Sequence, residues 1–181
     1  MFAKKNFFNF KIFQENYFLK IFLTFFLFYS FIFFVGILTG KIPNYCIGDE
    51  CRYFENVFRI INGEYQDPLK DRLVTPMHSI LISPLVILNF GRRAVVFLNL
   101  IISCLTISFT YQISRFYLSN KVSLLISILW GFYYIKFEQD FTALTEPFTT
   151  FLIVFNFYLI SKFSFTKSNF YLVLSGIILG M

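Results

Sequence analysis

Charge is scarce in this sequence: Asp, Glu, Lys and Arg together make up 14% of its 181 residues. Soluble domains carry about 25%, so the chain lacks the polar surface to cover itself in water. Histidine occurs once, which excludes a multi-histidine metal site within the chain. Three cysteines form no zinc pattern, and there is no phosphate-binding glycine loop, haem motif or internal repeat. What fills the space is hydrophobic: 57% of the residues, with 29 phenylalanines. Disorder is thereby excluded as well, since it needs low hydrophobicity and high charge. A net charge of +6 suggests nucleic acid, but the lysines and arginines punctuate long apolar runs instead of forming a stripe. The expected partner is the lipid bilayer, with no nucleic acid, and the expected fold is all-α: a polytopic transmembrane helix bundle.

The runs set the spans. Ile21 to Thr39 carries no charge over nineteen residues, enough for a helix to cross a ~30 Å hydrocarbon core. A cleaved signal peptide fits less well, because its apolar region is about 7–15 residues and Leu38-Thr39-Gly40-Lys41 is a poor cleavage site. Further spans are expected at about 94–114, 122–137 and 141–160, with a partial one at 170–181. That last run is too short to cross, so either it stays interfacial or, the favoured reading, the chain is the N-terminal part of a longer protein. Thr75 to Phe90, with two prolines and a histidine, reads as an interfacial or re-entrant helix at about 75–90. All of this forms a single transmembrane domain over 1–181.

Short-loop lysines and arginines (Lys4, Lys5, Lys11, Lys20, Arg115, Lys121, Lys162, Lys167) place the N-terminus in the cytoplasm by the positive-inside bias. The segment Lys41 to Arg93 then becomes a long first extracytoplasmic loop. Nine of the ten acids fall on that side, Glu15 being the exception. Such clustering is what an extracytoplasmic active site would look like.

Within that loop, Cys46-Ile47-Gly48-Asp49-Glu50-Cys51 puts two adjacent acids shortly beyond the first span. A carboxylate on so short a tether can be aimed at a membrane-bound substrate; the bland alternative is a solvated acidic turn. The flanking cysteines leave two readings open, a bridge that pinches the acids into a hairpin or two free thiols. Cys104 reads as a packing residue.

The order of motifs resembles a known family. Gly48-Asp49-Glu50 is followed by an aromatic stretch ending in Gly63-Glu64-Tyr65, then Thr75-Pro76-Met77-His78-Ser79, then Leu81 to Gly91 and Ala94-Val95-Val96-Phe97-Leu98-Asn99. Met77-His78 stands where Gly-Tyr or Pro-Phe is common. This order is similar to the N-terminal part of GT-C superfamily membrane glycosyltransferases, in the branch of protein O-mannosyltransferases and lipid A aminoarabinose transferases. The resemblance implies an inverting transferase of an extracytoplasmic membrane face, here a bacterial inner membrane. It would move sugar from a polyprenyl-phosphate donor to a hydroxyl of an acceptor glycan, lipid or protein. By that analogy Asp49 is the general base and Glu50 orients it or the acceptor.

Other candidates follow with their alternatives. Glu146 is either a donor-site acid or a helix start ahead of Pro147. Asp140, with Asp49 and Glu146, would suit a divalent cation, but metal use differs across the superfamily and no cofactor is assigned. Arg72, Arg92, Arg93 and Lys136 are expected to grip phosphate or to act as snorkelling anchors. His78 is expected to contact phosphate or acceptor, or to sit satisfied at the interface. The competing function is a non-enzymatic membrane module, such as a transporter or flippase-like fragment, which would place polar residues at mid-membrane on broken helices.

Overall fold

A computed structural model describes residues 10–64 and 76–180. Among these the secondary structure is entirely helical: α1 (Phe10–Leu38), α2 (Glu50–Ile61), α3 (Pro76–Ile87), α4 (Gly91–Tyr117), α5 (Asn120–Gly131), α6 (Tyr134–Asp140), α7 (Glu146–Thr166) and α8 (Asn169–Leu179). Three helices are long and apolar enough to cross a membrane: Tyr17–Leu38 within α1, Gly91–Tyr117 and Glu146–Thr166.

The central helix is α4, packed by α1, α5 and α7. Its buried side chains include the small Ser103 and Cys104, which admit neighbours closely, and the larger Val96, Leu100, Ile107 and Tyr111. Ring contacts fix the direction of the packing. Tyr17 meets Tyr111 while Phe33 meets Phe97, so α1 runs antiparallel to α4. Phe109 meets Phe155 and Phe116 meets Phe165, so α7 runs parallel to α4. Hydroxyls along the helices bond back to carbonyls one turn earlier, as Thr106 Oγ1 does to Ile102 at 2.9 Å and Ser127 Oγ to Ser123 at 2.9 Å. That leaves them no unmet polarity toward lipid.

The expected span at 122–137 is two helices instead. α5 stops at Gly131, and α6 begins at Tyr134. Breaking a helix in an apolar setting leaves carbonyls that need donors. The Tyr29 hydroxyl donates to the Gly131 carbonyl at 2.7 Å. Gly131 also lacks the side chain that would collide with Phe25 and Ile107, so α1, α4 and α5 close on this point. The run expected at 141–160 is displaced: Thr145 takes the N-cap position, and α7 starts at Glu146 with Pro147 in its first turn. The proline-containing α3 solves a similar problem. Pro84 has no N–H for the Ile80 carbonyl, and Ser83 Oγ donates to it at 2.8 Å.

The first loop is tied to the head of α4 by Asn44. Its carbonyl accepts from the Arg92 N–H at 3.2 Å, and its Oδ1 accepts from the Arg93 N–H at 3.4 Å. Two of the helix's orphan donors are thereby met by a residue 48 positions earlier in the chain, counting from Asn44 to Arg92. Gly91 makes this cap fit, having a φ of 72° and sitting where an added Cβ would lie 2.6 Å from Asn44 Oδ1. Gly91→Ala should therefore destabilise the protein by about 1–2 kcal/mol from the left-handed backbone alone, and more if Asn44 is displaced. Thermal unfolding in lipid nanodiscs checks this; an unchanged midpoint contradicts the capping role.

Candidate functional site

Three polar layers lie along α4, and each ties it to segments distant in sequence. The outermost is at Arg92. Its Nε donates to Glu50 Oε2 at 2.5 Å and its Nη2 to Glu50 Oε1 at 2.9 Å, a bidentate pair in which both side chains are buried. The same carboxylate accepts the Ala143 N–H at 2.8 Å and the Ile47 N–H at 3.3 Å. One side chain thus joins the first loop, the head of α4 and the segment leading into α7. Burial alone would raise the Glu50 pKa. The Arg92 guanidinium and the backbone donors outweigh it, and hold the carboxyl below its ordinary 4.5.

Asp49, its immediate neighbour, faces the other way. Its side chain is 75% exposed and meets Arg52 at 3.3 Å across the surface. A disulfide joins Cys46 to Cys51, with their Cα atoms 5.1 Å apart, so the two acids do lie in a closed ring. Gly48, at φ 58°, turns the chain within it. Adjacent residues at the helix start thus divide into one anchored acid and one presented acid. Glu50, expected to orient Asp49 or the acceptor, has its oxygens engaged by Arg92, Ala143 and Ile47. Arg92 is likewise committed to Glu50, with a further contact to the Pro43 carbonyl, rather than open to phosphate. Arg93 remains half-buried with Nε on the Ile42 carbonyl at 3.1 Å. Arg72 lies outside the described residues.

The second layer is at Asn99, about 10 Å along α4 from Arg92. Asn99 Nδ2 donates to the carbonyls of Thr142 and Leu144 at 2.9 and 3.0 Å, holding the non-helical segment before α7. His78 sits beside the Asn99 side chain, short of hydrogen-bond geometry, and is fully buried. Its ring packs edge-on to Tyr53 at 5.1 Å and near Phe148 at 6.4 Å. The Tyr53 hydroxyl and Thr145 Oγ1 are 3.2 Å apart, next to the first residue of α7, Glu146. Burial pushes the His78 pKa down to about 4, so it is neutral at neutral pH. Contrary to the expectation of a satisfied histidine, both ring nitrogens lack a partner, as do Asn99 Oδ1, Asn56 Nδ2 and Glu146 Oε2. Each such atom costs about 1–3 kcal/mol if it stays unmet.

The third layer is at Ser103, thirteenth of the 27 residues of α4 and so near its middle. Ser103 Oγ donates to Asp140 Oδ1, and Lys136 Nζ reaches Asp140 Oδ2 at 2.5 Å. All three side chains are buried, with the ammonium 5.8 Å from the Tyr29 ring centre. Lys136 is therefore not a phosphate grip. The cation-binding trio of Asp49, Asp140 and Glu146 is not assembled either, and among the described residues no group of three His, Cys, Asp or Glu side chains could hold a metal.

Sequence reasoning missed Asn44, Asn99, Ser103 and Tyr29. Asn99 carried a signal, as an amide inside an apolar run, which in a bilayer calls for a partner. Comparison with known proteins adds no relative: no protein-family model matches the chain, and no similar curated protein or solved structure is found.

The outer layer generates a stability prediction. Glu50→Gln or Arg92→Leu should each cost about 3–5 kcal/mol, because the surviving partner stays buried and unpaired. The double variant Glu50→Leu with Arg92→Leu should lose less than the sum. Since the folded pKa of Glu50 is depressed, its contribution is present above 4.5 and is lost as pH falls through the lower folded value. Unfolding curves should show that acid-side loss in the native protein and its absence in Glu50→Gln.

Proposed function

We propose that this chain belongs to a glycosyltransferase that moves a sugar from a polyprenyl-phosphate donor to an acceptor hydroxyl at the extracytoplasmic membrane face. The observation that carries the reading is the split between the adjacent acids. Glu50 is spent on anchoring, while Asp49 is presented to solvent on a disulfide-closed ring just beyond α1. A group placed there meets the headgroup level of a lipid whose tail lies beside the spans. The motif order that resembles GT-C enzymes supports the same assignment. Asp49 takes the proton of the acceptor hydroxyl as the oxygen attacks the anomeric carbon. The bond from that carbon to the phosphate oxygen breaks, its electron pair leaves with the lipid phosphate, and the anomeric configuration inverts.

A second reading, a non-enzymatic transporter-like module, draws on one specific observation. The interrupted α5–α6 element places the Lys136–Asp140 pair beside the middle of α4, and carriers use broken helices with polar groups near mid-membrane. The two readings differ at Asp49. Asp49→Asn keeps the shape and removes the proton acceptor, so transfer should fall by ~10²–10⁴-fold with membrane insertion unchanged. Transfer at the native rate, measured with a lipid-linked sugar and membranes containing the protein, sinks the assignment.

In the same proposal the membrane is a bacterial inner membrane, and the N-terminus faces the cytoplasm. The described helix ends divide by charge: Arg115, Lys121, Lys162 and Lys167 lie at the end opposite to Asp49, Glu50, Glu55 and Glu64. Glu64→Cys should react with an impermeant maleimide in intact cells, and Lys167→Cys should be protected until the membrane is opened. Both backgrounds keep the Cys46–Cys51 bridge and the buried Cys104. The reverse labelling pattern places the acidic end in the cytoplasm and ends the case for an outer active site.

A further inference from the structure

The geometry points to the second layer as a recognition site for a neutral, hydroxyl-bearing ligand of the sugar class, formed by Asn56, His78, Asn99 and Glu146. This deepens the glycosyltransferase reading and rests on it. Four elements converge there. His78 of α3 has Tyr53 of α2 against its ring and the Asn99 amide of α4 beside it. Asn56 lies one turn along α2 from Tyr53, on the same face. The Tyr53 hydroxyl reaches Thr145, next to Glu146 at the start of α7. His78, Asn99 and Asn56 are buried, and all four residues bear polar atoms without partners.

The donor and acceptor balance of those atoms selects the ligand. Asn99 Oδ1 and Glu146 Oε2 accept, Asn56 Nδ2 donates, and neutral imidazole offers one donor and one acceptor. A hydroxyl group both gives and takes a hydrogen bond, so a compound with several of them matches the set. A phosphate matches it poorly. It presents acceptors with charge, whereas the set includes a carboxyl. The guanidinium that touches the set, Arg59, already donates to Asn56 Oδ1 at 3.5 Å and to the Glu64 carbonyl at 3.4 Å, and Arg92 is bound to Glu50. Aromatic rings of Tyr53 and Phe148 flank the histidine and suit the apolar face of a pyranose. Thr145 and Glu146 are half-buried, while His78 is fully buried.

His78 is the only histidine in the chain, which makes its ring an unambiguous probe. The protein, labelled with 13C and 15N in histidine and held in lipid nanodiscs, is titrated with methyl glycosides of gluco, galacto and manno configuration. A parallel arm uses inorganic phosphate. At least one glycoside should shift the His78 ring signals saturably, and phosphate should not. Asn56→Ala and Glu146→Ala, checked for native helix content, should each weaken that binding by about tenfold, the loss of one hydrogen bond. A shift with phosphate alone, or no shift with any of the three glycosides, overturns the site, and the native titration decides this even where a variant misfolds. Glycoside binding by a protein that transfers no sugar would sink the transferase reading alone; normal transfer with a silent histidine would sink this site alone.

Discussion

The fold's outer end depends on one buried ion pair, Glu50 with Arg92. A carboxylate and a guanidinium removed from water are costly, and their attraction compensates only when geometry is good and remaining hydrogen bonds are met. Here the pairing is bidentate, and the Ala143 and Ile47 N–H groups complete the carboxylate. The consequence is a junction rather than a simple gain in stability. Three segments distant in sequence meet on one side chain, and every other outer contact presupposes it. The Asn44 cap, the turn at Gly91 and the ring closed by Cys46 and Cys51 all hold the same few residues in register. Asp49 has a defined direction only because its neighbour is fixed.

Moving along α4, the other two layers follow from a constraint that apolar surroundings impose on backbone. Non-helical chain in an apolar setting needs internal donors for its carbonyls. The segment between α6 and α7 receives them from Asn99, the break after α5 from Tyr29, and the proline in α3 from Ser83. The polar residues of the spans are therefore mostly answers to interruptions in neighbouring elements. Ser103 answers a charge instead, since it joins Lys136 in bonding to Asp140.

This explains what could be read from the sequence and what could not. α1 and α4 were legible because an uninterrupted apolar run depends on no distant partner. The break at Gly131 and the late start of α7 were not legible. Val122 to Phe137 is as apolar as a continuous span, and only Tyr29, some hundred positions earlier, makes an interruption acceptable. The acids followed the same rule. Local spacing located Asp49 and Glu50 but gave no means of dividing them, since Arg92 lies 42 positions from Glu50 and Ala143 lies 93 positions away. Local pattern sets the helices; the long-range hydrogen bonds set where they stop and which acid is spent.

The mid-helix pair and the exposed acid bear on function in opposite ways, and their degree of satisfaction separates them. Lys136 and Asp140 neutralise one another, Ser103 takes another carboxylate position, and the Tyr29 ring lies alongside the ammonium. To bind a transported ion, that cluster would first have to give up contacts it already makes. Asp49 spends its charge only on a surface pair with Arg52, and such exposed pairs are held weakly. A new partner displaces Arg52 at little cost. Groups used in chemistry must exchange partners during turnover, whereas groups used in architecture must not. On that criterion the pairs at Arg92 and Asp140 belong to the frame, and Asp49 and the unmet atoms around His78 are the groups on which the proposed function draws.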